Sequence, residues 1–309
     1  MSAQPGPAIL VATDEGLHLV EAAGAVRIDE LAGREVPALA VARDRRRAIA
    51  DGKELWESAG GARSRWSLVA KVPRRKATCL GATPEGLLVG TAGAHLLRLD
   101  GHRLAPVGSF DEAEGRAAWH TPWGAPADTR SISAADGAVY VNVHVGGVLR
   151  STDGGGSWRP LLDIEHDVHQ VLAPAARPGL VLVAAYDGFG VSEDRGDTWR
   201  WENDGLHAHY CRAVAVAGDV VLLSASAGYH GRRAALYRRP LAGGAVFERC
   251  RDGLPDWFPD NVDTGCLAAR GRTVALGAAD GSVFLSRDAG LRWEAVAKGL
   301  APVRALAFA

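Results

Sequence analysis

Ser151–Trp158, with the sequence STDGGGSW, is the stretch that decides the fold, because it occurs three times. Ser192–Trp199 (SEDRGDTW) and Ser286–Trp293 (SRDAGLRW) share with it the pattern S-x-D-x-G-x-x-W. The three copies start 41 and then 94 residues apart, and 94 residues are two periods of 47. A repeat of about 40–50 residues is typical of propellers and solenoids.

Each copy predicts a tight turn between two strands. Its Asp carboxylate can accept hydrogen bonds from N–H groups of the turn, its Gly can adopt a positive φ, and its Trp supplies a large apolar face. The pattern resembles the Asp-box, or BNR, repeat of β-propellers. In that family the box is a structural turn far from the active face, so the resemblance implies that Asp153, Asp194 and Asp288 are not catalytic.

The resemblance implies several classes of function and does not choose among them. Sialidases carry the box, but they have six blades and a Tyr–Glu nucleophile pair for which this sequence offers no convincing match. Seven-bladed Asp-box proteins include photosystem II assembly factors, which are binding scaffolds. Some seven-bladed propellers are lyases with a His base and a divalent metal near the channel. We expect a member of the sialidase-like superfamily of propellers that is not a true sialidase.

The composition excludes several kinds of partner. The chain of 309 residues has a formal net charge of −1, so its overall charge does not favour nucleic acid or an anionic membrane. It has no apolar run long enough to span a bilayer, and its first residues lack the features of a secretory signal. The four cysteines are scattered without metal-type spacing, which predicts reduced thiols in a cytoplasmic protein.

Strand patterns and turn signals predict a single domain over residues 1–309, built as seven four-stranded antiparallel blades. Residues 8–29 predict only three strands, and the C-terminal run Pro302–Phe308 predicts one more strand. Pairing these two ends in one blade would close the ring and leave no free sheet edge. The alternative is six blades. The inner strands of the later blades are expected to begin near Glu35, Lys76, Arg130, His169, Arg212 and Thr264.

The inner strands, aligned by their apolar alternation, bring one position of each blade to the mouth of the central channel. That position holds Pro37, Thr78, Arg130, His169, Arg212, Thr264 and Arg304. The three arginines predict an anion site, because several guanidinium forks can hold one carboxylate or phosphate. The alternative is a buried salt-bridge collar without a ligand, in which the arginines are neutralised by Glu35, Asp128 and Asp167.

Histidines concentrate on the same face of the propeller. Seven of the ten lie between residues 120 and 230. The spacings His166-x-x-His169 and His207-x-His209 suit a divalent or transition metal such as Zn, Cu or Fe. The candidate metal ligands are His144, His169 and His209.

The alternative role for these side chains is acid–base catalysis, because the reference pKa of imidazole lies near neutrality. The catalytic candidates are His169, Asp167, Tyr210 and Asp263.

Two long intervals, residues 108–129 and 250–263, carry aromatic side chains. Loops that expose aromatic residues on a rigid scaffold favour a binding role. We expect these residues to cover the pocket, and the alternative is that each one fills a gap between blades. They are Trp119, His120, Trp123, Trp257 and Phe258, with Tyr186 in a neighbouring loop.

Together these patterns predict a propeller that binds a small anionic metabolite or sugar derivative at the mouth of its channel. Glu35 and Thr264 complete the expected ligand contacts. If the protein is an enzyme, hydrolase or lyase chemistry is expected at this mouth. The alternative is a non-catalytic scaffold that binds a protein partner.

Overall fold

Seven antiparallel sheets of four strands each make up the protein in the computed structural model, which describes residues 7–21, 24–42, 44–59, 61 and 63–309. The innermost strand of each sheet packs against the innermost strands of the two neighbouring sheets, and these contacts close into a ring. The protein is a seven-bladed β-propeller. The prediction of seven blades is confirmed, and the alternative of six blades is wrong.

The strands of each blade are ordered from the channel to the rim. The innermost strands of blades 1 to 7 are β28 (Val303–Phe308), β4 (Ala38–Ala42), β8 (Ala77–Thr83), β12 (Thr129–Ala135), β16 (Val168–Leu172), β20 (Tyr210–Ala217) and β24 (Leu267–Arg270). The second strands are β1 (Ile9–Thr13), β5 (Arg45–Ala50), β9 (Gly86–Thr91), β13 (Ala138–Val143), β17 (Val181–Ala185), β21 (Val220–Ser226) and β25 (Thr273–Gly277).

The outer half of each blade is a second hairpin. The third strands are β2 (Gly16–Glu21), β6 (Glu54–Ala59), β10 (His95–Asp100), β14 (Gly147–Ser151), β18 (Gly188–Ser192), β22 (Ala235–Pro240) and β26 (Val283–Ser286). The outermost strands are β3 (Gly24–Arg27), β7 (Ser67–Lys71), β11 (Arg103–Pro106), β15 (Arg159–Pro160), β19 (Arg200–Trp201), β23 (Glu248–Arg249) and β27 (Glu294–Ala297).

Blade 1 is built from both ends of the chain, as the sequence predicts. β28 pairs antiparallel with β1, from Ile9 opposite Phe308 to Thr13 opposite Val303. Beyond this ladder the N–H of Ala309 donates to the carbonyl oxygen of Ala8 at 2.9 Å. The ring is therefore closed by hydrogen bonds between the first and last strands.

Two predicted strand starts are wrong. The inner strand of blade 2 was expected to begin near Glu35 but begins at Ala38. Thr264 was expected to open the inner strand of blade 7, but that strand begins at Leu267. Residues 263–266 instead form a turn, in which the N–H of Cys266 donates to the carbonyl oxygen of Asp263 at 2.9 Å. The Gly265 backbone in this turn has φ = 86°, a left-handed conformation that Gly adopts without strain.

Apolar side chains fill the space between neighbouring blades in layers. Trp66, Phe110 and Phe189 are among the largest fully buried side chains. Burial of a large apolar side chain stabilises a fold by about 1.5–3 kcal/mol. Packing within these layers is therefore the main contribution to the stability of the contacts between blades.

Helical structure is short and lies in the connections. The α-helix α1 spans Gly108–Asp111, and 3-10 turns span Asp29–Leu31, Arg116–Ala118 and Ile164–His166. Within the described ranges, every helix is too short or too polar to cross a membrane.

The first repeated motif forms the turn between the third and fourth strands of blade 4. The hydroxyl of Ser151 donates to Asp153 at 2.8 Å and accepts from the N–H of Gly155 at 2.8 Å. The Asp153 carboxylate also accepts from the N–H and the hydroxyl of Ser157, at 2.9 and 2.7 Å. These donors hold the pKa of Asp153 well below its usual range. Trp158 closes the turn against the core.

The other two copies repeat this geometry in blades 5 and 7. Asp194 accepts from the N–H of Thr198 at 2.9 Å, and Asp288 accepts from the N–H of Arg292 at 3.0 Å. All three turns lie at the end of the propeller where the inner strands finish, opposite the channel mouth where those strands begin. The motif is a structural turn on the face away from the predicted site.

Replacing Asp288 with Ala should lower the free energy of unfolding by about 1–2 kcal/mol, because several turn donors lose their acceptor. Burial opposes ionisation of Asp288, but its hydrogen bonds with Arg292 and Ser286 outweigh burial and lower the pKa to about 2. The unfolded carboxyl titrates near 3.9. This part of the stability is therefore present above about pH 4 and is lost as the pH falls toward 2.

Urea unfolding across that acidic range would check this prediction, with Asp219→Ala as the control. Asp219 forms only an exposed ion pair with Arg272 at 3.3 Å, and its loss should change stability by less than about 1 kcal/mol. Equal effects of the two substitutions would contradict the role assigned to the Asp288 turn.

Candidate functional site

A cavity of about 300 Å³ opens at the mouth of the channel, where the inner strands begin. Seven of the residues that sequence analysis proposed for a site line it, and four further residues complete the wall. The proposed residues are Trp123, Arg130, His144, Arg212, Asp263, Thr264 and Arg304. The further residues are Pro37, Thr78, Asp128 and Thr129.

β-Bulges place the polar ring at this mouth. In five blades, the inner-strand residue that the sequence alignment placed at the channel mouth has no partner on the second strand. A bulge leaves one residue out of the ladder and redirects its side chain. The skipped residues are Thr78, Arg130, His169, Arg212 and Arg304. The same local distortion therefore presents a side chain to the cavity from four different blades, whereas the fifth, His169, is buried beside it.

Two of the three arginines are already paired with carboxylates. Arg304 makes a two-pronged contact with Asp14, with Nε and Nη2 each 2.6 Å from a carboxylate oxygen. Arg212 donates to Asp263 at 2.6 Å and to the Tyr210 hydroxyl at 2.9 Å. Burial lowers the pKa of Arg212, but Asp263 and Tyr210 outweigh burial and raise it. These two guanidinium groups are neutralised within the protein, as the alternative of a salt-bridge collar without a ligand predicts.

Arg130 is different, because its guanidinium forms no hydrogen bond or ion pair with any residue in the described ranges. Burial lowers the pKa of Arg130, and the positive charge of Arg212 lowers it further. Asp167 and Asp263 act in the opposite direction without making contact. Arg130 is thus a cation in the cavity wall whose hydrogen-bond donors have no protein acceptor.

Two histidines flank one carboxylate beside the cavity. His169 is fully buried, and its Nδ1 donates to the carbonyl oxygen of Cys211 at 2.6 Å. This contact leaves Nε2 unprotonated in the neutral ring, 3.8 Å from Asp167. His144 lies on the other side, with Nε2 3.5 Å from Asp167. His169 itself does not line the cavity. The sequence therefore predicted its position in the inner strand correctly, but not its burial behind the cavity wall.

Burial and the neighbouring arginines keep both imidazoles neutral. Burial lowers the pKa of His144 to about 3, and Arg130 and Arg212 contribute in the same direction. The same causes hold the pKa of His169 well below its usual value. Burial raises the pKa of Asp167, although Arg130 opposes this shift. The backbone of Asp167 has φ = 38°, which lies in the left-handed region that non-glycine residues seldom adopt.

Stability should fall in mild acid because of His144. An unfolded imidazole titrates near pH 6.5, whereas His144 in the fold titrates near pH 3. Between these values the unfolded chain binds more protons, so stability falls as the pH falls below about 6.5. One such proton contributes at most about 1.4 kcal/mol per pH unit.

Urea unfolding between neutral pH and about pH 5 checks this expectation. A His144→Gln variant should lose less stability over this range than the wild type. Some slope should persist in the variant, because the buried His169 shifts in the same direction. Identical slopes for the two proteins would contradict the assignment.

The predicted aromatic cover is only partly at the cavity. Trp123 lines the cavity, is 72% exposed, and lies edge-on to His144 with ring centres 5.2 Å apart. Tyr186 is 59% exposed and contacts Tyr210 edge-on at 6.1 Å. His120 is exposed nearby, and its Nδ1 donates to the carbonyl oxygen of Ala118 at 2.9 Å.

The remaining aromatic residues pack elsewhere, and only Phe258 and Trp119 fill the core as the gap-filling alternative predicts. Phe258 is buried in the core against Phe284, and Trp119 packs on Phe110 with ring centres 5.5 Å apart. Trp257 lies at the rim of blade 6 and contacts Arg249 instead of the cavity. These three residues do not line the pocket.

The predicted metal site is not assembled. Throughout the part of the chain that the structure describes, no group of three or more His, Cys, Asp or Glu side chains is arranged to hold a metal ion. His209 is exposed, whereas His144 and His169 face Asp167. Glu35, which was expected to contact the ligand, is exposed and does not line the cavity.

Sequence reasoning missed the two groups that complete the ring. Asp14 neutralises Arg304, and the backbone carbonyl of Cys211 orients His169. Asp14 follows β1 directly, so pairing β1 with the C-terminal strand carried the signal that would place Asp14 beside Arg304. The carbonyl contact depends on the bulge after Cys211, for which the sequence contains no local signal.

The comparisons with known proteins identify the class as a β-propeller and show the fold alone. No family model and no protein of curated function matches the sequence. A structure described as YCF48 bound to D1 peptide matches with a TM-score of 0.60 and 14% identity, over 96% of this chain and 86% of that one.

Two further structures match as well. A GH74 xyloglucanase from Xanthomonas campestris has a TM-score of 0.71 and 18% identity, over 96% of this chain but only 53% of the enzyme. The WD40 β-propeller domain of Doa1 has a TM-score of 0.66 and 14% identity, over 98% of this chain and 90% of that one. These neighbours differ in function, so the likeness does not select one.

Proposed function

We propose that the protein binds a small molecule carrying a carboxylate at the mouth of its channel, with Arg130 as the residue that holds the carboxylate. The observation that carries this proposal is the contrast among the three arginines. Arg212 and Arg304 have carboxylate partners, whereas Arg130 has none among the residues that the structure describes. Partial burial of a cation without a partner is costly, and an incoming carboxylate would supply two acceptors for its planar fork.

The size and the walls of the cavity support this proposal. A volume of about 300 Å³ suits a small metabolite or a sugar acid. Neutral His144 offers a hydrogen-bonding group that adds no positive charge, and Trp123 offers an apolar face at the entrance. The ligand we infer therefore has one acidic end and a polar or cyclic body.

A second candidate function, catalysis, is favoured by the His169–Asp167 arrangement. The fixed tautomer leaves Nε2 of His169 as a free base, and Asp167 lies 3.8 Å away to stabilise a protonated ring. In a hydrolase or lyase, these groups would move a proton while Arg130 holds the acid group. Full burial of His169 requires Tyr210, whose ring lies 4.8 Å from the imidazole, to move before a substrate could reach it.

The four cysteines fit a cytoplasmic location as part of this proposal. Each of them is a buried free thiol. Reduced thiols are usual in the cytosol, where disulfides are rare.

Thermal unfolding in the presence of a panel of acids tests the binding proposal. The panel contains monocarboxylates, dicarboxylates, sugar acids and the neutral amide of each. At a concentration one hundred times Kd, about 2.7 kcal/mol of added stability is expected. Carboxylates should raise the melting temperature where their amides do not. If no acid in the panel shifts the wild type, or if amides shift it equally, the proposal is wrong.

A further inference from the structure

A second group of positive charges lies at the rim of blade 6, on the same face as the cavity but outside its wall. We call it the rim cluster, and it consists of Arg233, Arg249, Arg251, Trp257 and Tyr229. The guanidinium carbon of Arg249 lies 3.7 Å from the ring centre of Trp257, and that of Arg233 lies 4.8 Å from the same ring. None of these residues lines the channel cavity.

The arginines of the rim cluster lack anionic partners. In the described ranges, the side chains of Arg233, Arg249 and Arg251 form no ion pair and donate no hydrogen bond. Nε and Nη2 of Arg249 are even buried without an acceptor. Two other arginines of the same blade are neutralised, since Arg212 pairs with Asp263 and Arg239 pairs with Glu202.

Acidic residues on the neighbouring loop do not compensate these charges. Asp252, Asp256 and Asp260 are exposed, and none comes within ion-pair distance of the three guanidinium groups. Asp260 is engaged by the N–H of Asn261 at 2.7 Å. These carboxylates therefore leave the rim cluster positively charged.

The charges of the rim cluster act on two neighbouring side chains, those of His207 and Tyr237. His207 donates or accepts at the Tyr237 hydroxyl, 2.7 Å away, and stacks on its ring. Burial and then Arg233 and Arg249 lower the pKa of His207. Burial raises the pKa of Tyr237, while Arg249, Arg233 and Arg251 oppose this shift. The local potential is thus positive, and it disfavours protonation of the imidazole.

Two exposed aromatic residues lie on the loops that carry these charges. Tyr229 is 69% exposed and Trp257 is 36% exposed. Their two loops are joined by a hydrogen bond from the Asn261 amide to the carbonyl oxygen of Tyr229, at 3.1 Å. Trp, Tyr and Arg are the residues in which the binding energy of protein interfaces concentrates.

We propose that the rim cluster is a docking surface for an acidic segment of a polypeptide partner. Carboxylates of the segment would pair with the exposed Arg233 and Arg251, and an apolar residue between them would pack on Trp257 and Tyr229. The open, exposed form of the patch favours an extended chain over a small molecule. This inference does not depend on the carboxylate site in the channel.

Binding of a short synthetic peptide that alternates Glu with Leu tests the proposal, measured by isothermal titration at low and physiological salt. The peptide should bind the wild type, and salt should weaken that binding because the contacts are charged. Arg251→Glu and Trp257→Ala should each weaken it at least about tenfold. The matched control is Arg103→Glu, which changes the net charge equally at an exposed position on blade 3.

Each result decides the question. Loss of peptide binding in Arg251→Glu, with binding retained in Arg103→Glu and in Arg130→Gln, supports the rim cluster independently of the channel site. Equal losses in Arg251→Glu and Arg103→Glu would show attraction by net charge and overturn the proposal. Displacement of the peptide by an equal concentration of inorganic phosphate would also overturn it, in favour of a small-anion site. Melting curves of each variant verify that it is folded.

Discussion

Replacing Arg130 with Gln should weaken binding of the carboxylate ligand by about a hundredfold. Arg130 is the cavity guanidinium without a protein partner in the described ranges, so its donors are available to a ligand. Charged hydrogen bonds contribute about 1.5–3 kcal/mol, and a two-pronged contact near 3 kcal/mol corresponds to about a hundredfold in Kd. Titration calorimetry with the acid that gives the largest thermal shift measures this change.

Two further variants make the result specific. Arg130→Lys keeps the charge but loses the planar fork, so its affinity should fall between those of the wild type and Arg130→Gln. Arg103→Gln removes an exposed charge on blade 3 and should leave the affinity unchanged. An equal loss in Arg103→Gln, or full affinity in Arg130→Gln, would show that Arg130 does not hold the ligand.

Removal of residues 303–309 should abolish cooperative folding. β28 supplies the inner strand of blade 1 and buries Val303, Leu306 and Phe308. Their burial contributes about 5–9 kcal/mol, which is comparable with the whole stability of a typical domain, about 5–15 kcal/mol. The truncation also exposes β1 as an unpaired inner edge, and unpaired edges promote aggregation. Urea unfolding monitored by tryptophan fluorescence should show no cooperative transition.

A circular permutant separates the loss of the strand from the change of termini. Ala309 and Ala8 are already hydrogen bonded, so a short linker from Ala309 to Ala8, in place of residues 1–7, joins β28 to β1 without altering blade 1. New termini fit in the exposed Gly243–Gly244 turn of blade 6. This permutant should unfold at a urea concentration close to that of the wild type. Cooperative folding of the truncated chain would mean that closure by β28 is dispensable.

The blade count and the closure of the ring were predictable because they follow from repetition. Three copies of one turn fix the phase of the blades, and the short set of strands near residue 8 requires a partner from the other end. Periodicity is a property of the chain itself, so it needs no knowledge of distant contacts. The predicted start of the inner strand of blade 7 was wrong because Thr264 lies in a turn, which the alternation of apolar residues alone cannot distinguish from a strand.

The chemistry of the mouth was only partly predictable. The ring alignment found Arg130, Arg212 and Arg304, but it gave them equal roles, and the structure separates them by their partners. Ion pairing depends on which side chains meet across blades, and a bulge shifts the direction of each ring residue. His169 shows the effect, because its bulged position directs the imidazole toward Cys211 and away from the cavity.

The free energy of unfolding of ligand-free Arg130→Gln tests the central claim most directly. Since Arg130 is a partly buried cation without a protein acceptor in the described ranges, its neutral replacement should leave stability unchanged or increase it. Arg212→Gln, by contrast, strips Asp263 and Tyr210 of a partner and should lower stability by about 1–2 kcal/mol. If Arg130→Gln is destabilised as much as Arg212→Gln, Arg130 belongs to a structural collar and the account of a carboxylate site is contradicted.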